Sequence, residues 1–156
     1  MKTQYKFIGQ FFGILAVIGV VLAGYSYYRY TKSPEYQALK YYQEMEARYR
    51  ADTYGGETPE ETLQLFIDAL KKGDIELASK YFVIEKQQEK FRELKTGQEN
   101  NNLNKIIINL EKLTYPTKYS DGLNYDLSFV EADKTIKFGV HFVLNEATKK
   151  WKIESL

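Results

Sequence analysis

Hydrophobic and polar positions divide this chain into three stretches with different periods. From Phe7 to Gly24 the residues are apolar and uncharged, with Gln10 as the polar interruption. At roughly 1.5 Å of rise per residue, a helix over this run crosses most of a hydrocarbon core of about 30 Å, and Tyr25 to Tyr28 complete the span. The pattern predicts a membrane anchor over residues 1–30, with Phe7, Phe11, Ile14, Leu15, Val17, Ile18, Val20, Val21 and Leu22 meeting lipid. Tyr25, Tyr27, Tyr28 and Tyr30 suit the interfacial belt, where the ring sits at headgroup level and the hydroxyl stays wet. Gly9, Gly13, Gly19 and Ala23 keep the small-residue spacing that lets membrane helices approach closely, so they are candidates for homodimer contact.

A cleaved signal peptide is the alternative, with Lys2 and Lys6 as the positive start and Val21-Leu22-Ala23 as the cleavage site. The run exceeds a usual signal core of about 7 to 15 residues, which favours an uncleaved anchor. Tyr25 stands where a lipoprotein needs cysteine. Lys2 and Lys6 on one flank nearly balance Arg29 and Lys32 on the other; the expected arrangement has the tail in the cytoplasm and the remaining chain outside the cytoplasmic membrane.

The second stretch, residues 31–56, has helical period. Ser33-Pro34-Glu35 reads as N-cap, first-turn proline and first-turn acid. Tyr36, Leu39, Tyr42, Met45 and Tyr49 then recur every three or four residues, an amphipathic stalk with a candidate stripe for an unknown protein partner. Gly55-Gly56 supports no helix and is expected to be a hinge.

Residues 57–156 form the expected soluble domain. Thr58-Pro59-Glu60-Glu61 combines an N-cap, a first-position proline and a capping-box glutamate. The helix it starts buries Leu63, Phe66, Ile67 and Leu70 and ends at Gly73, and Asp74 caps the next helix, whose Ile75, Ala78 and Phe82 face inward. A third helix is expected over Glu85 to Leu94, running out at Gly97 into the polar loop Gln98 to Asn102. Leu103 to Leu113 fits helix or strand. Beyond it the period becomes two: Tyr125, Leu127 and Phe129, then Ile136, Phe138, Val140, Phe142 and Leu144, alternate with polar neighbours. Breaks at Glu131-Ala132-Asp133-Lys134 and Asn145-Glu146-Ala147-Thr148 make the last three strands a meander that ends through Trp151 and Ile153. Helices followed by an antiparallel sheet make the class α+β.

Composition narrows the chemistry. The 156 residues hold 22 lysines and arginines against 21 acids, a balance with no electrostatic pull on nucleic acid. The lack of cysteine removes disulfides, thiolate nucleophiles and sulfur ligands, and a single histidine leaves a zinc site without its usual donors. No cofactor or metal is expected.

The run Leu63-Gln64-Leu65-Phe66-Ile67-Asp68-Ala69-Leu70-Lys71-Lys72-Gly73-Asp74, followed by Ala78, Tyr81 and Phe82, resembles the opening of the ketosteroid-isomerase-like, nuclear-transport-factor-like superfamily of cystatin-like α+β cones. Its first helix commonly ends in Ala-Leu-x-x-Gly-Asp, and Trp151-Lys152-Ile153 resembles its last strand. The resemblance implies helices packed on a curved sheet, here in a membrane-anchored branch. It also implies that isomerase chemistry is absent. The catalytic tyrosine would fall at Phe66, which has no hydroxyl, and the general-base aspartate would fall within Ile84-Glu85-Lys86-Gln87-Gln88. Members without catalysis use the concave face as a pocket or a protein contact, for which Phe66, Tyr81, Phe129, Phe138, Phe142 and Trp151 are candidates. His141 lies on the opposite strand face from Phe138, Val140 and Phe142, and the sequence shows no partner to orient it for catalysis.

The expected function is a non-catalytic binding or scaffold domain on a single-pass anchor, in contact with membrane lipid and an unknown protein or small ligand. The alternatives are a subunit of a larger membrane assembly docked through stalk and anchor, and a hydrolase or isomerase in the cone that uses His141 and a nearby acid.

Overall fold

The computed structural model describes residues 2–131 and 135–156, with side chains from Phe12 onward. Its elements are α1 (Lys2–Thr31), α2 (Pro34–Ala51), α3 (Pro59–Lys71), α4 (Ile75–Lys80), α5 (Gln87–Glu99), α6 (Leu103–Leu110), β1 (Tyr115–Lys118), β2 (Asn124–Val130), β3 (Ile136–Asn145) and β4 (Lys150–Ser155). The class is α+β, with one open antiparallel sheet in the order β1-β2-β3-β4. The chain forms two compact units, Met1–Glu46 and Ala47–Leu156.

In the first unit, Phe12–Thr31 of α1 is long and apolar enough to cross a membrane. Val17, Val20, Val21 and Leu22 of this helix are 64, 73, 63 and 60% exposed. A helix apolar all round needs an apolar surrounding. At the α1–α2 turn, Ser33 Oγ accepts the Tyr36 N–H at 3.2 Å, which is the expected N-cap. The Gln37 amide donates to the Thr31 carbonyl at 2.5 Å, and the Tyr30 and Tyr36 rings meet edge-on at 5.1 Å.

In the second unit the caps expected from the sequence organise the helices. Thr58 has extended backbone and its hydroxyl accepts the Glu61 N–H at 3.1 Å. Glu61 reaches back one residue further than a capping box requires, accepting the Glu57 N–H at 2.6 Å. At the other end of α3, Gly73 at φ +71° lets its own N–H bond Leu70 O and the Asp74 N–H bond Ala69 O, each at 3.0 Å. Asp74 then caps α4 by accepting the Leu77 N–H at 3.0 Å.

Two expected boundaries move. The third helix does not begin at Glu85 or run out at Gly97; α5 spans Gln87–Glu99 and takes Gln98 and Glu99 from the expected loop. A Cβ on Gly97 would touch Leu103 Cδ2 at 3.6 Å and Ile106 Cδ1 at 3.9 Å, so this glycine is where α6 comes close to α5. Leu103 to Leu110 is helix, because Ile107 and Leu110 bury against the core on one face while Ile108 stays 52% exposed. The three-strand meander is joined by β1, which the sequence pattern did not mark: its residues are all exposed and Pro116 interrupts them. A proline lacks the N–H a ladder needs, which suits an edge strand. Of the expected break at Glu131-Ala132-Asp133-Lys134, the last three residues lie outside the described residues.

The sheet puts Tyr125 opposite Phe142, Leu127 opposite Val140 and Phe142 opposite Ile153. These side chains meet α3, α4 and α6 in one core, where Phe66, Phe82, Phe142 and Ile153 are fully buried. Each such side chain contributes about 1.5 to 3 kcal/mol by leaving water. The Phe66 and Phe82 rings meet edge-on at 5.3 Å. The far edge of β4 is covered: Trp151 N–H bonds Gly56 O, Ile153 N–H bonds Tyr81 O, and Val83 N–H bonds Ile153 O.

Gly55-Gly56 therefore does not have the place expected of a hinge. Both lie inside the second unit, which begins at Ala47 rather than at Glu57. Gly56 donates to Thr62 Oγ1 at 2.9 Å, and a Cβ on it would stand 2.6 Å from Glu61 Cβ. Gly55, at φ +118°, would put a Cβ 2.2 Å from the Trp151 carbonyl oxygen. Here glycine serves close approach of backbones.

Candidate binding cleft

The first wall is the turn that delivers β2. Asp121 Oδ1 accepts the N–H groups of Leu123 and Asn124 at 2.9 and 3.1 Å, and Oδ2 accepts the Asn124 amide at 2.6 Å. These bonds, the Asn124 side chain first, hold the Asp121 carboxyl below the usual range. Gly122 supplies the left-handed residue at φ +67°. A second wall is the first turn of α3, fixed by its Thr58 cap, and the third is Trp151 on β4. Between them lies a cavity of about 260 Å³, lined by Glu57, Glu60, Lys118, Tyr119, Asn124, Tyr125 and Trp151 among others.

Two tyrosines of the wall are held from behind by carboxylates. Tyr125, only 4% exposed, donates its hydroxyl to Glu60. Burial, and then this carboxylate, pushes its phenol up to about 12. The Tyr125 and Trp151 rings meet at 6.1 Å with planes 64° apart. Tyr119 donates to Asp126 Oδ2 at 2.6 Å, and that bond raises its phenol above the ordinary value.

Asp126 leads to the histidine. It pairs directly across the sheet with His141, and Asp126 Oδ1 lies 2.5 Å from His141 Nδ1. His141 Nε2 faces Asn124 Oδ1 at 3.2 Å and Glu154 Oε2 at 3.4 Å, and the Tyr119 ring meets the imidazole edge-on at 6.0 Å. Both ring nitrogens thus face acceptors. A general base needs a lone pair aimed at a substrate proton; this ring instead ties Asp126 and Asn124 together behind the cleft. Sequence reading placed His141 on the outer face but missed Asp126. Its alternation with Tyr125 and Leu127 put it on that face, and only the β2–β3 register brings the two side chains opposite each other.

The candidate pocket residues mostly belong elsewhere. Phe66, Tyr81 and Phe142 are 0, 6 and 0% exposed in the core, while Phe129 and Phe138 pack against it. They fill the face of the sheet beneath the helices because large aromatic rings at core spacing gain most from burial. Trp151 alone of that set lines the cleft above. Among the described residues, no group of three His, Cys, Asp or Glu side chains is arranged to hold a metal ion.

Of the candidate partner stripe, Leu39 and Tyr42 are 52 and 70% exposed, and Tyr36 and Met45 are half-buried. Tyr49 is committed within the second unit. Its hydroxyl donates to Glu85 at 2.7 Å and its carbonyl accepts from the Asn145 amide at 2.9 Å. Burial and then Glu85 push the Tyr49 phenol well above its ordinary range. On α1, Ile14, Leu15 and Ile18 are exposed like their neighbours. A Cβ on Gly13 or Gly19 would meet nothing within 4 Å, and Ala23 is exposed. The side chains of Phe7 and Phe11, and the surroundings of Gly9, lie outside the described residues.

A buried ion pair escaped the sequence reading altogether. Lys152, 1% exposed, donates to Asp52 Oδ2 at 2.8 Å, to Lys80 O at 2.6 Å and to Tyr54 O at 3.2 Å. The Gln87 amide supports it, donating to Asp52 Oδ2 at 3.1 Å and Phe82 O at 3.1 Å. Desolvation lowers the Lys152 ammonium below its ordinary range, with Asp52 pulling the other way. Every donor of Lys152 is occupied, which marks a structural group. No family model, curated protein or solved structure matches the chain.

Proposed function

We propose that this chain is a single-pass membrane protein whose second unit is a non-catalytic binding domain outside the cytoplasmic membrane. One observation carries the reading. The sheet face beneath the helices is filled by fully buried Phe66, Phe82 and Phe142, while the cleft beside Trp151 is open and its polar walls are already positioned. A preformed cleft with His141 engaged outside its lining suits recognition better than turnover. The helices-then-meander order and the Gly73-Asp74 cap support a cone-like member of the ketosteroid-isomerase-like superfamily. The exposed apolar α1 supports the anchor, and the tyrosines at its end support a headgroup-level exit.

A second reading, a subunit of a larger membrane assembly, is favoured by the exposed Leu39 and Tyr42 on α2 and the unoccupied Gly13 and Gly19 face of α1.

The absence of native cysteine makes a direct test available. Thr3→Cys and Glu146→Cys are introduced separately in the full chain and treated with a membrane-impermeant maleimide in intact cells. Glu146→Cys should label at once and Thr3→Cys only after permeabilisation. The reverse pattern, or loss of the chain from membranes on alkaline extraction, defeats the reading. A photoreactive residue at Lys118 should then give adducts from the outer side, whereas a photoreactive residue at Tyr42 gives the dominant adduct if the assembly reading is right.

A further inference from the structure

We propose that the cleft beside Trp151 takes a neutral sugar ring, one pyranose unit of an oligo- or polysaccharide. The inference deepens the binding reading and rests on it. A pyranose has an apolar C–H face and a rim of hydroxyls that both donate and accept. The cleft offers the matching halves. Tyr119, 45% exposed, and half-buried Trp151 present ring surface, while Glu57 and Glu60 accept and Lys118 and Asn124 donate. Asn124 uses one amide hydrogen on Asp121, which leaves the other for a ligand.

Charge selects a neutral ligand. An anion would meet two carboxylates, and a cation would meet the Lys118 ammonium. Both acids are also partly answered within the protein: Glu60 accepts the Tyr125 hydroxyl, and Glu57 lies 3.8 Å from Lys150. With no sign dominant, recognition falls to paired donors and acceptors beside aromatic surface. The volume, about 260 Å³, suits a single ring with its chain leaving through the open side.

Rigidity supplies the second argument. Tyr119 is held by Asp126, Asp126 by His141, and Asn124 by both His141 and Asp121. Side chains fixed before binding lose little entropy on meeting ligand, which matters most for a small polar ligand with little apolar area to bury. The His141–Asp126 pair is then a positioning device.

Trp151 is the chain's one tryptophan and lies in the cleft, so its emission reports occupancy directly. Full-length protein in lipid nanodiscs is titrated with cellotriose, maltotriose and triacetylchitotriose. At least one should give a saturable change that is insensitive to ionic strength. Tyr119→Ala and Lys118→Ala, both at exposed positions, should each weaken it by about tenfold. No saturable response to any of the three, or variants that titrate like the parent, overturns the inference. A response to tetramethylammonium chloride in place of the sugars also overturns it while leaving the binding reading intact. Release of reducing ends from a bound trisaccharide would keep the sugar site and defeat the non-catalytic reading.

Discussion

Lys152 and Asp52 form an ion pair of 2.8 Å at 1 and 8% exposure. Asp52 directly follows α2 and Lys152 belongs to β4, so the pair joins the start of the second unit to its last strand. Breaking one side of such a pair leaves a buried charge without its partner, which costs about 3 to 5 kcal/mol. Asp52→Ala should therefore destabilise the second unit by roughly that amount in urea unfolding. The double variant Asp52→Asn, Lys152→Met removes both charges and should recover part of the loss. Equal destabilisation by the single and double variants would show that packing, rather than charge, dominates the site.

Tyr125 sets a pH dependence. Its folded pKa is about 12, above the ordinary value of about 10, because burial and Glu60 disfavour the phenolate. The native state then holds this proton more tightly than the unfolded state does. Its contribution is complete below pH 10 and is lost as pH rises from about 10 to about 12. Tyr125→Phe should lower stability at neutral pH by about 1 kcal/mol through the lost hydrogen bond, and should flatten the alkaline fall. Thermal melts of both proteins from pH 8 upward, compared pairwise, read the difference; parallel curves refute the assignment.

Two glycines with positive φ should respond differently to alanine. Gly55 has φ +118° and a Cβ there would lie 2.2 Å from a backbone oxygen, so Gly55→Ala should cost at least about 2 kcal/mol. Gly122 has φ +67° and open space around it, so Gly122→Ala should cost only about 1 kcal/mol. Chemical denaturation of the two variants settles the comparison. A freely moving Gly55 would make the first substitution as mild as the second.

Asp126 should control the titration of Tyr119. Its hydrogen bond, followed by its charge, raises the phenol. In Asp126→Asn the Tyr119 ring carbon, followed by NMR against pH, should titrate closer to the ordinary tyrosine value. An unchanged titration would detach Tyr119 from the His141 network and remove its positioning role.

The parts of the fold legible in the sequence are those whose causes are local. Ser33, Thr58 and Asp74 cap helices because a short polar side chain reaches an N–H three residues on, whatever lies elsewhere in the chain. The two-residue alternation around Leu127 and Val140 likewise announces a half-buried strand by itself. Leu103 to Leu113 fits helix or strand by sequence because its β-branched residues and its three-four spacing point in opposite directions. Packing beside Gly97 decided for helix.

Much of the candidate cleft was not legible. Trp151, Glu60 and Tyr125 were visible as an aromatic residue, a helix-start acid and a strand residue, with nothing to bring them together. Asp126 and His141 meet only through strand register, and Lys152 meets Asp52 across a separation of 100 residues. Composition and period by themselves determined the apolar helix, the caps, the α+β order and the alternating faces around Leu127 and Val140, because these follow from neighbours along the backbone. Tertiary structure alone decided that Gly55-Gly56 packs against β4, that the aromatic face closes into core, and that a cleft opens beside Trp151. Those outcomes depend on which distant surfaces share the limited interior, and chain-local preference carries no information about that competition.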